Sequence, residues 1–173
     1  LDSGLWDYVG KLFNENVKEQ DWTGDNSINA GSKAAQDIFD DIYKWHLDNE
    51  LNNRKEPIRL VGHSHGGNVA IMVTNLLAEK DIKVATPVRE YKLETEVGQR
   101  VHVYNKFDAV QVLGGKAGRA AMAPASAFKG AKNVEVKLRW YYRDVTIFGI
   151  RNHSAMHRDI KTWKKYIEPI LKI

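Results

Sequence analysis

Leu60-Val61-Gly62-His63-Ser64-His65-Gly66-Gly67-Asn68-Val69-Ala70 is the stretch whose reading decides the fold. Before it, Ile58-Arg59-Leu60-Val61 follows Pro57 and reads as a short buried strand. After it, from Gly66 to about Lys80, Val69, Ala70, Met72, Val73, Leu76 and Leu77 fall at helical spacing. A G-x-S-x-G pentapeptide between a strand and a helix is the order that a nucleophile elbow requires. In such a turn the serine takes a strained backbone conformation, so the residues two before and two after it must be small. Gly62 and Gly66 occupy those positions. The same geometry aims the backbone N–H of His65 at a substrate carbonyl, at the positive end of the following helix, as one oxyanion-hole donor. A chance G-x-S-x-G in a Gly-rich turn is the competing reading, and the strand before and helix after argue against it.

Working outward, the spacing of Leu5, Val9, Leu12 and Phe13 predicts an amphipathic helix over Leu5 to Val17. Trp22-Thr23-Gly24-Asp25-Asn26-Ser27 favours turns and helix caps and reads as a loop. A long helix follows from about Ala30 to Leu51 through Ala34, Ala35, Ile38, Ile42, Tyr43 and Trp45, closed by Asn52, Asn53 and Pro57. Arg100 to Tyr104, Asn133 to Tyr142 and Asp144 to Ile150 are further strand candidates, and a last helix is expected from about Arg158 to Leu171. Gly114 to Lys132 has no clean period and reads as a loop or lid-like excursion. Helix, strand, tight turn and helix in that order belong to an α/β fold with a mainly parallel sheet flanked by helices. A chain of 173 residues is expected to form one such domain over residues 1–173.

Composition narrows the classes. With 43% apolar and 28% charged residues, neither disorder nor a fibrous repeat is indicated. No apolar run approaches the roughly 20 residues that span a bilayer. The absence of cysteine excludes disulfides, thiolate zinc sites and a cysteine nucleophile together. The 26 Lys plus Arg exceed the 22 Asp plus Glu by four, which suits anionic surfaces, but the excess is diffuse and no nucleic-acid partner is expected. A solvated helix face accounts for Lys161, Lys164, Lys165 and Lys172.

A serine hydroxyl needs a histidine to accept its proton, and that histidine needs a carboxylate to orient it. With the chain order Ser, acid, His, the candidates downstream of Ser64 are His102, His153 and His157. His102 sits inside a strand pattern and would project from a sheet face. His153 follows the run Val145 to Ile150 and precedes the last helix, where a loop at a strand end would present it; it is favoured over His157, which stays open. Asp108 lies just beyond the strand Arg100 to Tyr104 and is the preferred acid, with Asp144 the alternative. His63 and His65 form an H-x-H pair that could be read as zinc ligands with His153 and His157. An elbow devoted to exposing serine would turn the two flanking side chains apart, so no metal is expected. A serine triad calls for no cofactor either.

These segments resemble the lipase-like α/β hydrolases, in particular the bacterial type found as effector or toxin domains and proteins related to triacylglycerol lipases. Leu60 to Ala70 resembles their nucleophile strand, elbow and helix almost letter for letter. Trp22 to Ser27 with Ala34-Ala35 looks like the W-S-G-x-N-S loop and helix of that group, and Ala85-Thr86-Pro87 like the A-T-P ending the next strand. Asn105 to Val110 is similar to the segment carrying the triad acid, and Asn152-His153-Ser154 to the one carrying the triad histidine. Two departures stand out. That group has a first strand ending in His-Gly-Thr or similar, which supplies the second oxyanion donor, and nothing before Leu1 corresponds to it. Asp81 to Pro87 offers only a stub where a full apolar strand is called for. With no initiating methionine, the expectation is that the chain lacks segments of a longer natural protein.

The resemblance implies hydrolysis of a carboxylic ester, with an acyl lipid as substrate, by an acyl-enzyme on Ser64 with Asp108 and His153. It also implies contact with a membrane surface and an immunity or carrier protein as partner. Amide or thioester hydrolysis uses the same triad, because pocket shape sets the leaving group. A non-catalytic hydrolase-fold domain that binds through its basic surface is the third reading. Location stays open between the cytoplasm and export as part of a larger effector.

Overall fold

Helix stops and starts give this chain its layout. The computed structural model describes residues 4–25, 27–82, 84–85, 95, 97–105, 131–137 and 158–171. Its elements are α1 (Leu5–Phe13), α2 (Ile28–Leu51), β1 (Ile58–Arg59), α3 (His65–Ala78), β2 (Val84–Ala85), β3 (Val101–Tyr104), β4 (Lys132–Glu135), α4 (Ile160–Thr162), a π-helical turn (Trp163–Ile167) and α5 (Glu168–Leu171). They fall into two packed units. One comprises the described residues of Gln20–His102 and Gly130–Lys132, the other those of Leu1–Glu19, Val103–Lys129 and Asn133–Ile173.

In the first unit, α2 begins where Ser27 accepts a hydrogen bond from the Ala30 N–H at 3.2 Å, satisfying one of the free donors of the first turn. Gly31, Ala34 and Ala35 are buried on α2, and a Cβ at Gly31 would stand 3.8 Å from Met72 Cε of α3. Such small residues let the two helices approach closely. Ala34, Ala35 and Phe39 of α2 then pack with Val69, Val73 and Leu77 of α3, and with Ile58 and Ile82, as one apolar cluster. Truncating a fully buried Leu such as Leu77 to Ala costs about 2–5 kcal/mol. β1 pairs in parallel with β2, Ile58 opposite Val84 and Arg59 opposite Ala85. The expected strand Ile58 to Val61 is therefore shorter: pairing ends at Arg59, and Val61 is 39% exposed.

In the second unit, Leu5 and Val9 of α1 pack on Trp163 and Ile167 of the π-helical turn. The Tyr8 hydroxyl donates to a Glu168 carboxylate oxygen, and burial together with that carboxylate pushes the Tyr8 phenol up to about 12. Asp159 caps the C-terminal helix, accepting from the Lys161 N–H at 3.1 Å and the Thr162 hydroxyl at 2.7 Å. The expected uniform helix from Arg158 to Leu171 thus starts at Ile160 and widens to π geometry in its middle. β3 and β4, which the division between the units cuts after His102 and after Lys132, form a second two-stranded sheet. Lys132 N–H donates to Arg100 O and Val136 N–H to Tyr104 O, so both strands advance together and the pair is parallel. β4 spans Lys132–Glu135 where a strand from Asn133 to Tyr142 is predicted, so Lys132 belongs to the strand and not to the preceding loop. The rest of the expected Gly114 to Lys132 excursion, apart from Ala131, lies outside the described residues, as does the strand Asp144 to Ile150.

Three helices stop in the same way. After α1, Asn14 (φ 54°) takes the left-handed conformation, its N–H meeting Lys11 O while Glu15 N–H reaches back to Gly10 O. Asn53 (φ 52°) and Asp81 (φ 59°) do the same after α2 and α3. This is the Schellman arrangement, with Asn or Asp where Gly is commonest. It ends α1 at Phe13, four residues short of the predicted Val17. Among the described residues no helix is long and apolar enough to cross a membrane.

Candidate active site

Besides those three helix stops, a fourth non-Gly residue has positive φ among the described residues: Ser64, at φ 56° and ψ −127°. It stands at the start of a helix, where chain reversal does not demand such a conformation, and it is neither Asn nor Asp. A conformation of this kind costs about 1–3 kcal/mol and persists only where its surroundings hold it. Here β1 and its connection fix one side, and the burial of Val69, Ala70, Ile71 and Val73 fixes α3 on the other. Thr74 adds an internal bond from its hydroxyl to Ala70 O at 2.7 Å.

The turn closes through Gly66 N–H to His63 O and Gly67 N–H to Ser64 O, both at 3.0 Å. It is tight enough that a Cβ at Gly62 would lie 2.4 Å from Gly66 O and 2.6 Å from its carbonyl carbon. Any side chain there collides with backbone, as the sequence predicts. At Gly66 the expectation needs correction: a Cβ there meets no atom of the described residues within 4 Å. The crowding is one-sided because the backbone of Gly66 and Gly67 presses on Gly62, whereas Gly66 itself looks outward.

Two polar groups at this turn have no partner among the described residues. The Ser64 hydroxyl does not cap α3. The His65 N–H, first of the helix, donates to no acceptor among the described residues. A hydroxyl beside an N–H at a helix N-terminus, neither of them bonded among the described residues, is an arrangement that can attack a carbonyl carbon and hold the oxygen that becomes negative. His63, Ser64 and His65 are all half-buried.

Of the other site residues the sequence proposes, Asp108, Asp144, His153 and His157 lie outside the described residues. His102 is buried within β3. His63 and His65 flank the serine, and no group of three or more His, Asp or Glu side chains is arranged to hold a metal ion among the described residues. The sequence reading assigns no role to Asn68, four residues after Ser64 and one turn into α3. Its Oδ1 is shut from solvent and accepts no hydrogen bond among the described residues, a state that costs about 1–3 kcal/mol. The signal in the sequence is a carboxamide immediately ahead of the apolar run Val69-Ala70-Ile71.

Compared with known proteins, the chain matches no family model, no curated protein and no solved structure.

Proposed function

We propose that this chain is a serine hydrolase of the α/β-hydrolase type, a single domain that cleaves carboxylic esters, with acyl lipids as the substrate class. The observation that carries this reading is the strained Ser64 at a strand-to-helix turn, with its hydroxyl and the neighbouring His65 N–H both unengaged among the described residues. Parallel pairing of β1 with β2, with α3 between them in the chain, supports the fold class.

In the proposed reaction Ser64 Oγ attacks the ester carbonyl carbon while His153 takes the hydroxyl proton, and Asp108 orients the imidazole and balances its charge. The carbonyl oxygen, negative in the tetrahedral intermediate, accepts from the His65 N–H. Collapse expels the alcohol, which leaves with the proton from His153, and Ser64 holds the acyl group as an ester. Water then attacks that ester, losing a proton to His153, and the acid departs as Ser64 recovers its hydroxyl.

Turnover of p-nitrophenyl esters tests this reading, with the matching anilides as comparison. Ester turnover that falls about ten-thousand-fold or more in His153→Ala is the expected result. Preferential cleavage of anilides would favour an amidase, and no turnover of either would leave a binding domain.

A further inference from the structure

We infer that the C-terminal helix is a docking face for anionic lipid surfaces, built from Lys161, Lys164 and Lys165. All three are exposed, while Trp163 and Ile167 beside them are buried, so the helix turns its cations outward. None of the three has a carboxylate within ion-pair distance among the described residues. The two acids of the same helix are held elsewhere: Asp159 caps its first turn, and Glu168 accepts from the Tyr8 hydroxyl.

For two of the three, an aromatic ring takes the place of a carboxylate beneath the ammonium group. Lys164 Nζ stands 5.5 Å from the Tyr8 ring centroid, and Lys165 Nζ 5.0 Å from that of Tyr166. Each ring is fixed by its own hydroxyl, Tyr8 on Glu168 and Tyr166 on Lys137 O at 2.8 Å. A ring holds an ammonium without cancelling its charge, so the face stays positive. Lys137 and Arg158, both exposed, add charge nearby.

A flat anionic surface fits this patch better than a nucleic acid does. Three lysines within five residues are fewer than the six to ten phosphate contacts of a typical duplex binder. Lysine beside tyrosine, each with an apolar body and a polar tip, is the pairing that sits at lipid interfaces. Each lysine near an anionic bilayer contributes roughly five-fold in partition, so three contribute about 100-fold.

The test is co-sedimentation of the full chain with phosphatidylcholine vesicles, with and without phosphatidylglycerol, for the wild type and for the triple variant Lys161→Gln/Lys164→Gln/Lys165→Gln. The readout is partition and not turnover, so it is independent of the chemistry at Ser64. Circular dichroism verifies that the variant is folded. The expected result is binding to phosphatidylglycerol vesicles alone, weakened by salt and reduced about 100-fold in the variant. A wild type that ignores anionic vesicles, a variant that binds like the wild type, or tighter binding to a DNA duplex than to the vesicles would overturn the inference.

Discussion

Ser27 and Ser64 hold the same position, the residue that opens a helix, and differ in almost everything else. Ser27 has an ordinary extended backbone (φ −90°, ψ 146°), accepts from Ala30 N–H, and donates its own N–H to Asp25 at 3.0 Å. Ser64 sits at positive φ and its hydroxyl does not cap the helix that it opens. Ser27 shows what a serine does when only the helix is at stake. Against that standard, Ser64 forgoes a cap worth about 1 kcal/mol and carries strain of about 1–3 kcal/mol. Against a typical folding free energy of about 5–15 kcal/mol, that is a large concession, and the proposed role of Ser64 as nucleophile would account for it.

The widest separation between the two serines is expected in catalysis. Ser64→Ala should lower ester turnover about ten-thousand-fold or more, whereas Ser27→Ala should leave it within a factor of about two and cost about 1 kcal/mol of stability, read by thermal unfolding. Equal effects on turnover would erase the distinction. Next in size is the pair of elbow glycines. Gly62→Ala drives a methyl into backbone and should destabilise by about 2–4 kcal/mol, while Gly66→Ala, with open space and a helical backbone, should stabilise by about 0.5–1 kcal/mol. If both are equally disruptive, the one-sided crowding at the turn is wrong.

A subtler effect separates strain from chemistry. Ser64→Gly relieves the positive φ and should raise stability by about 1 kcal/mol after allowance for the floppier unfolded chain, or about 2–4 °C in Tm. Ser27→Gly has no strain to relieve and should raise nothing. The smallest effect lies away from both serines. Because the Tyr8 pKa is raised from 10.0 to about 12 in the folded protein, its contribution is complete below pH 10 and is lost as the pH climbs toward 12. Tm should therefore fall less steeply over that range in Tyr8→Phe than in the wild type.

The comparison also shows what a sequence can carry. Ser27 follows a turn-rich run and precedes an uninterrupted apolar period, and the long helix begins within two residues of the predicted Ala30. Ser64 follows Gly62-His63 after an apolar strand, and both the strand and the helix are found there. What escaped depends on partners or on backbone detail that spacing does not encode. Val17 extends the apolar period of α1, but left-handed Asn14 ends the helix first. Trp163 and Ile167 are four apart, a spacing that suits α and π turns alike. β1 is two residues long because its length is set by pairing with Val84–Ala85, not by the apolar run that continues to Val61. Small size alone does not say which of two glycines is crowded, so the sequence marks Gly62 and Gly66 alike although the crowding falls on Gly62.

The most direct test of the central claim is labelling with a fluorophosphonate probe, followed by mass spectrometry of the modified peptide. The prediction is a single adduct on Ser64, absent in Ser64→Ala and undiminished in Ser27→Ala. A folded wild type that takes no label, or takes it on another residue, would contradict the assignment of Ser64 as an activated nucleophile.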